Sequence, residues 1–131
     1  MNASQLRQRL REAGRQIERQ LDVLMERAPL VRGGVYRLRR KCGKPGCRCA
    51  RGEVHASWVF LAREEGVQRM RAVPKGEAAR WRERAQHYRR YRQARRELLR
   101  QCREALRLAK LLEVARAVAP PGTGGGRRRH A

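Results

Sequence analysis

Acidic side chains and aromatic rings are what this chain has least of. Twelve Asp and Glu stand against 34 Lys and Arg, a formal charge of +22 at pH 7, and only four of the 34 are lysine. Six of the 131 residues are aromatic, and the mean hydropathy is −0.87. A chain so poor in large apolar side chains is not expected to build a sizeable core. Small domains in that position lean on a metal, on long helices packing together or on a partner subunit. No apolar run approaches the ~18 residues of a spanning helix, and no signal-like apolar core is seen near the N-terminus. A cytoplasmic location is expected, nucleoid-associated if the source is bacterial.

Signatures of catalysis are missing as well. There is no Ser-His-Asp or Cys-His arrangement, no paired carboxylate and no glycine-rich phosphate loop. Glu53, Glu64 and Glu65 form no constellation suited to magnesium, so a nuclease is not expected. Four cysteines are few for a secreted disulfide scaffold.

Three of those four cysteines are nevertheless crowded together, in Cys42-Gly43-Lys44-Pro45-Gly46-Cys47-Arg48-Cys49, with His55 six residues further on. Three thiols and an imidazole within fourteen residues are the donor set of tetrahedral zinc, which takes thiolate sulfur and imidazole nitrogen at about 2.0 to 2.3 Å. The expectation is a Cys3His zinc knuckle with Cys42, Cys47, Cys49 and His55 as ligands. Free thiols, a disulfide or iron–sulfur chemistry are the alternatives, and the spacing C-x4-C-x-C-x5-H does not by itself separate them. Gly43 and Gly46 are expected to supply positive φ, and Pro45 to stiffen the loop. Four protein ligands leave no coordination position for water, which again argues against catalysis.

A charge of +22 repels itself and is drawn to polyanions, nucleic acid first among them and DNA before RNA. The candidate contact residues fall into three groups. Arg37, Arg39, Arg69 and Arg71 alternate along two predicted strands, Lys44, Arg48 and Arg51 surround the metal loop, and Arg82, Arg89, Arg92 and Arg96 mark one edge of a predicted helix. Arginine for lysine also reflects a GC-rich genome, but that leaves the surplus of positive charge unexplained.

Periodicity gives the order of elements. Apolar residues from Leu6 to Ala28 recur every three or four positions, which predicts an amphipathic helix over 4–28 with Ser4 as N-cap and Pro29 as its end. Residues 33–73 read as a metal-bearing β-meander with strands at 35–41, 57–63 and 67–73, joined between the last two by Glu64-Glu65-Gly66. Tyr36, Leu38, Trp58, Phe60, Met70 and Ala72 are expected to share a buried face, leaving Arg37, Arg39, Arg69 and Arg71 on the open one. A long basic helix follows over 76–118, with Trp81, Ala85, Tyr88, Leu99, Cys102, Leu106 and Ala109 as its inner stripe at near-heptad spacing, widened by Leu98, Ala105, Leu108, Leu111, Leu112, Ala115 and Val118. Cys102 is then a small core residue, and His87 an ordinary surface one. Residues 119–131 read as a disordered basic tail. The fold class is α+β: an N-terminal helix, a three-stranded antiparallel sheet with its zinc knuckle, and a long C-terminal helix pairing with the first helix. The stripes also suit a homodimer or another protein partner, so an assembly adaptor is the alternative function.

The CGKPGCRC core, the W-x-F strand and the arginine- and tyrosine-rich helix after it resemble, over residues 33–96, a family of small uncharacterised bacterial and archaeal proteins. The resemblance implies that Cys42, Cys47, Cys49 and His55 occupy that family's characteristic positions, and that its members accompany mobile elements; an adaptor's helical stripes would then take a recombinase, a transposase or a second copy as partner. It implies no reaction. Where the family often shows Gly-Pro after the histidine, this chain has Ala56-Ser57.

Overall fold

The computed structural model describes residues 1–52 and 55–122; the expected basic tail from residue 123 onward lies outside them. In order the elements are α1 (Ala3–Leu24), β1 (Gly34–Arg40), a short 3-10 turn (Arg48–Arg51), β2 (His55–Glu64), β3 (Val67–Ala72) and α2 (Ala78–Arg116). They form two compact units, a helical one made of Met1–Leu21 and Arg96–Ala131, and a sheet-bearing one made of Asp22–Arg95.

In the helical unit the long helix packs on the first, and Leu6, Ala13 and Leu108 are buried to 2, 4 and 1 % exposure. The N-terminal cap is Asn2, not Ser4. Its Oδ1 accepts from Gln5 N–H at 2.9 Å while Gln5 Oε1 accepts from Asn2 N–H at 3.0 Å, a reciprocal box that leaves Ser4 inside the first turn. The expected stripe holds here only in part. Leu99 and Leu106 are 52 and 72 % exposed, and Ala109 is exposed too, while Cys102 and the widening residues Leu98, Ala105 and Leu112 are half-buried around buried Leu108. A straight α-helix drifts about 20° per heptad, so a seven-residue stripe leaves the buried face within a few turns. Side chains spaced at 3.6 stay on it.

In the sheet-bearing unit β1, β2 and β3 form one antiparallel sheet in that order. α1 stops at Leu24, five residues before Pro29. The segment beyond is held to the second helix by Glu26, whose carboxylate accepts from Arg90 at 2.6 to 3.2 Å, and by the Val31 N–H donated to the Arg84 carbonyl at 3.1 Å. The β2–β3 turn has two residues, Glu65 and Gly66, both at positive φ (52° and 79°), which suits the right-handed twist of a hairpin.

That turn sets which residues share a face. With Glu64 opposite Val67, Phe60 pairs with Arg71 and Ala62 with Arg69, and on the other side Trp58 pairs with Arg37 and Phe60 with Val35. The expected division of faces is therefore overturned. Trp58 and Phe60 lie on the same side as Arg37, Arg39, Arg69 and Arg71. Tyr36, Leu38, Met70 and Ala72 lie on the other with Val59, which is buried at the centre. For β3 the expectation assumed a three-residue turn at 64–66, and one residue fewer sends every side chain of that strand to the opposite face; for β1 the register across the cysteine loop sets Tyr36 opposite Val59 and not beside Trp58 or Phe60. The Trp58 side is the one that α2 covers: the Phe60 and Trp81 rings are 6.5 Å apart, and Arg82 stacks 4.9 Å above Trp58. Gly33 is required where the chain enters β1, because a Cβ there would fall on the Phe60 ring and 2.6 Å from the Leu61 carbonyl oxygen.

Candidate metal centre and basic surface

β1 and β2 are joined by a long loop, and the last registered pair before it is Arg40 opposite His55. Cys42 follows β1 by two residues and His55 opens β2, so the ends of the loop already stand side by side. The loop curls to bring the other two ligands back to them. Lys44-Pro45-Gly46-Cys47 is a turn closed by the Cys47 N–H donated to the Lys44 carbonyl at 3.2 Å, with proline at its favoured second position. Cys47 then leads into the 3-10 turn Arg48–Arg51, which carries Cys49 inward to 1 % exposure. Gly43 and Gly52 take the left-handed conformation at φ 81° and 109°; Gly46 does not, so the second glycine with that task is Gly52.

Together these place Cys42, Cys47 and Cys49 Sγ and one ring nitrogen of His55 within 4.8 Å of one another. The Cys42 and Cys49 sulfurs are 3.3 Å apart, and Cys47 Sγ is 3.0 Å from His55 Nε2. Donors bound tetrahedrally at about 2.0 to 2.3 Å stand about 3.3 to 3.8 Å from each other, a range that these separations span. Backbone N–H groups also aim at sulfur, as they do where thiolate is stabilised: Cys42 N–H donates to Cys49 Sγ at 3.3 Å, and Lys44 N–H to the Cys42 thiol. That Lys44 hydrogen bond, helped by the one from Cys49, lowers the Cys42 pKa. At Cys49 the bond from Cys42 N–H lowers the pKa, but burial and the adjacent Cys42 and Cys47 thiols outweigh it, and the thiol is pushed up. A cation inside the cluster removes that opposition by binding all three as thiolates. The donor set fits a metal ion.

The cluster is not closed off. Cys42 and His55 are exposed, and with Arg40, Lys41 and Ser57 they border a depression of about 440 Å³. Lys44, Arg48 and Arg51 are exposed on the loop, so every charged group described beside the site is positive. Three thiolates on a divalent ion leave one negative charge, which these cations complement.

The remaining expected contact residues scatter. Arg37 and Arg39 are exposed on β1. Arg69 and Arg71 are both drawn to Glu64, at 3.5 and 2.8 Å. Arg82 lies on Trp58. Arg96 falls outside the sheet-bearing unit. Only Arg89 and Arg92 come together with other arginines, lining with Arg32, Arg63 and Arg95 a cleft of about 580 Å³ at the Gly34–Leu61 end of the sheet. Arg95 belongs to the arginine-dense stretch of the long helix, while Arg32 and Arg63 were missed. Arg63 shares a face with Tyr36 because the register of β1 on β2 sets Tyr36 opposite Val59, and no local signal gives that register.

Among the described residues no helix is long and apolar enough to cross a membrane. Neither a curated protein nor a solved structure matches this chain. A family profile does match, over residues 4–83, reaching back to α1 and ending in the second turn of α2. By that match, which takes in the whole Cys3His loop, the chain belongs to the family described as a domain of unknown function, DUF6788.

Proposed function

We propose that this protein is a zinc-stabilised, non-catalytic nucleic-acid-binding module, with DNA as its first partner and RNA as its second. The carrying observation is the pairing of a Cys3His cluster with a sheet-bearing unit whose cations are left free. Of the 20 Lys and Arg between Asp22 and Arg95, only Arg69, Arg71, Arg80 and Arg90 are ion-paired among the described residues. Cys42, Cys47, Cys49 and His55 would hold the zinc, whose contribution is to cross-link the loop between β1 and β2. The arginines then contact phosphates from a rigid frame, and each phosphate neutralised on a duplex contributes about −0.9 to the slope of log affinity against log salt. Few base-reading side chains stand out, which suits weak sequence preference.

Two measurements decide this. Protein purified without chelator should carry one equivalent of zinc and should bind labelled DNA or RNA in fluorescence anisotropy with a steep salt dependence. Absence of salt-sensitive association with every nucleic acid tried would sink the reading.

A second reading, a helical assembly adaptor, is favoured by one feature: Leu99, Leu106 and Val114 lie 52, 72 and 65 % exposed along α2. Light scattering before and after nuclease treatment separates the two. An adaptor remains a defined oligomer, whereas a binder loses its nucleic acid and its excess mass.

A further inference from the structure

We infer that the cleft at the Gly34–Leu61 end of the sheet is a binding site for single-stranded nucleic acid, its arginines holding the backbone and the Tyr36 ring stacking a base. The inference rests on the nucleic-acid reading above and names the site and the strand form. The cleft lies at the opposite end of the sheet from the metal cluster, six residue pairs or about 20 Å along the strands.

Its lining holds five arginines, Arg32, Arg63, Arg89, Arg92 and Arg95, and no carboxylate. None of the five is ion-paired among the described residues, although Arg90, next to one of them, is bound bidentately by Glu26. Five like charges around one concavity repel each other, and an anion entering it relieves that repulsion. Arg89, Arg92 and Arg95 follow each other every third residue along one edge of α2 and span about 9 Å of helix axis, room for about two phosphates. The anion to be bound is therefore extended, not a lone phosphate.

Two tyrosines join these arginines in the cleft wall. The Tyr88 ring already carries the Arg92 guanidinium, 5.6 Å above it. The Tyr36 ring is uncovered, 56 % exposed, and lies back along β1 over Gly34, where a Cβ would come within 2.6 Å of the ring. A glycine thus lets an aromatic face lie open beside five unpaired guanidinium groups. A basic groove that follows a backbone, with an aromatic platform beside it, is the arrangement by which proteins hold single strands. In a duplex the bases are stacked on each other and cannot reach the ring. An acidic peptide would use the arginines and leave the ring idle.

The test uses the full chain with its zinc and three fluorescein-labelled probes: a 15-nucleotide dT strand, the matching rU strand and a 15-base-pair duplex. Anisotropy is read from 50 to 300 mM KCl. Arg63→Ala with Arg92→Ala removes two charges from the cleft, and Arg11→Ala with Arg103→Ala removes two unpaired charges from the helical unit. We expect the dT or rU strand to bind at least 10-fold tighter than the duplex, DNA and RNA being told apart by which is preferred. The cleft pair should weaken it 10- to 100-fold and flatten the salt slope by about 1.4, two phosphates at about 0.7 each. The helical pair should cost less than 3-fold. Tyr36→Ala should cost 5-fold or more, and Tyr36→Phe should restore parental affinity, because stacking needs the ring and not the hydroxyl. Zinc content and tryptophan emission identical to the parent establish that each variant is folded. Equal losses from both arginine pairs, duplex binding as tight as single-strand binding, indifference to Tyr36→Ala, or equal displacement by poly-glutamate would each overturn the inference while leaving the general nucleic-acid reading standing. No binding of any probe by the parent would instead remove that reading.

Discussion

The two units of this molecule carry similar numbers of charges per residue but treat them differently. In the helical unit the ion pairs run along single helices at i, i+3 spacing: Arg15 to Glu12, Arg100 to Glu97, Arg107 to Glu104 and Lys110 to Glu113. Such exposed pairs are screened by solvent, contribute little to stability and serve mainly the helix that carries them. The sheet-bearing unit has intrahelical pairs too, Arg80 to Glu77 and His87 to Glu83, but there acidic residues also tie separate elements together, Glu26 to Arg90 and Glu64 to Arg69 and Arg71, and among the described residues most of its arginines keep no acidic partner. Net charge alone does not locate a binding surface. Where the cations are left uncompensated on a fixed frame does.

The largest expected effect divides the units by metal. Removing the proposed zinc with a chelator, or by His55→Ala or Cys49→Ser, should abolish metal binding and unfold the sheet-bearing unit, since a structural zinc contributes on the order of 10 kcal/mol, as much as a small domain's whole stability. Both tryptophans, Trp58 and Trp81, belong to that unit, so their emission reports it alone. A red shift of emission with most of the 222 nm signal retained is the expected result. Emission unchanged after the metal has gone would show that the sheet stands without it.

The converse comes from Leu108→Ala. Leu108 is 1 % exposed in the helical unit, and its truncation should destabilise that unit by about 2 to 4 kcal/mol. Urea titration should then show helix lost before the tryptophan emission moves. Coincident transitions would mean that the two units unfold as one, and the comparison would have to be abandoned.

How much of this was legible without coordinates follows the range of each signal. The Cys3His cluster was, because its ligands are close in sequence and the turn chemistry at Pro45 and Gly43 acts within a few residues. Element order was also readable, because period-2 and period-3.6 patterns are local. The faces of the sheet were not: those of β3 hinge on whether the turn at Glu65 and Gly66 has two residues or three, those of β1 on a register set across the long Cys42–His55 loop, and a single residue inverts either answer. The C-terminal half of α2 was legible in part: Leu98, Cys102, Ala105, Leu108 and Leu112 face inward as expected, but Leu99 and Leu106 fit a heptad that a straight helix does not follow. The end of α1 was missed because Glu26 answers to Arg90, 64 residues away.

A smaller effect tests whether uncompensated charge is the relevant difference. Glu64→Gln frees Arg69 and Arg71, while Glu104→Gln frees Arg107 at the same change in net charge. Both substitutions touch exposed, solvent-screened pairs, so stability should hardly move in either. Oligonucleotide affinity should rise about 2-fold to 3-fold for Glu64→Gln and stay at the parental value for Glu104→Gln. Equal gains would mean that bulk charge, not its placement, governs binding.

The smallest expected effect is the pH response of the helical pairs, and its sign follows from Glu97. Hydrogen bonds from Arg100 and Gln101 hold the Glu97 pKa down at about 2 against an ordinary value of 4.5. A carboxylate whose pKa is lower in the folded state stabilises that state fully above 4.5 and loses the contribution as pH falls towards 2. Glu97→Gln lacks the contribution at every pH. The gap in melting temperature between parent and variant should therefore be present at pH 6, shrink through pH 4 and close near pH 2, by a degree or so in total, on the order of what an exposed pair contributes in a domain this size. Raising the salt should narrow the pH 6 gap, because both partners face solvent. A gap that widens in acid would reverse the sign and show that Arg100 is better placed against a neutral side chain than against the carboxylate.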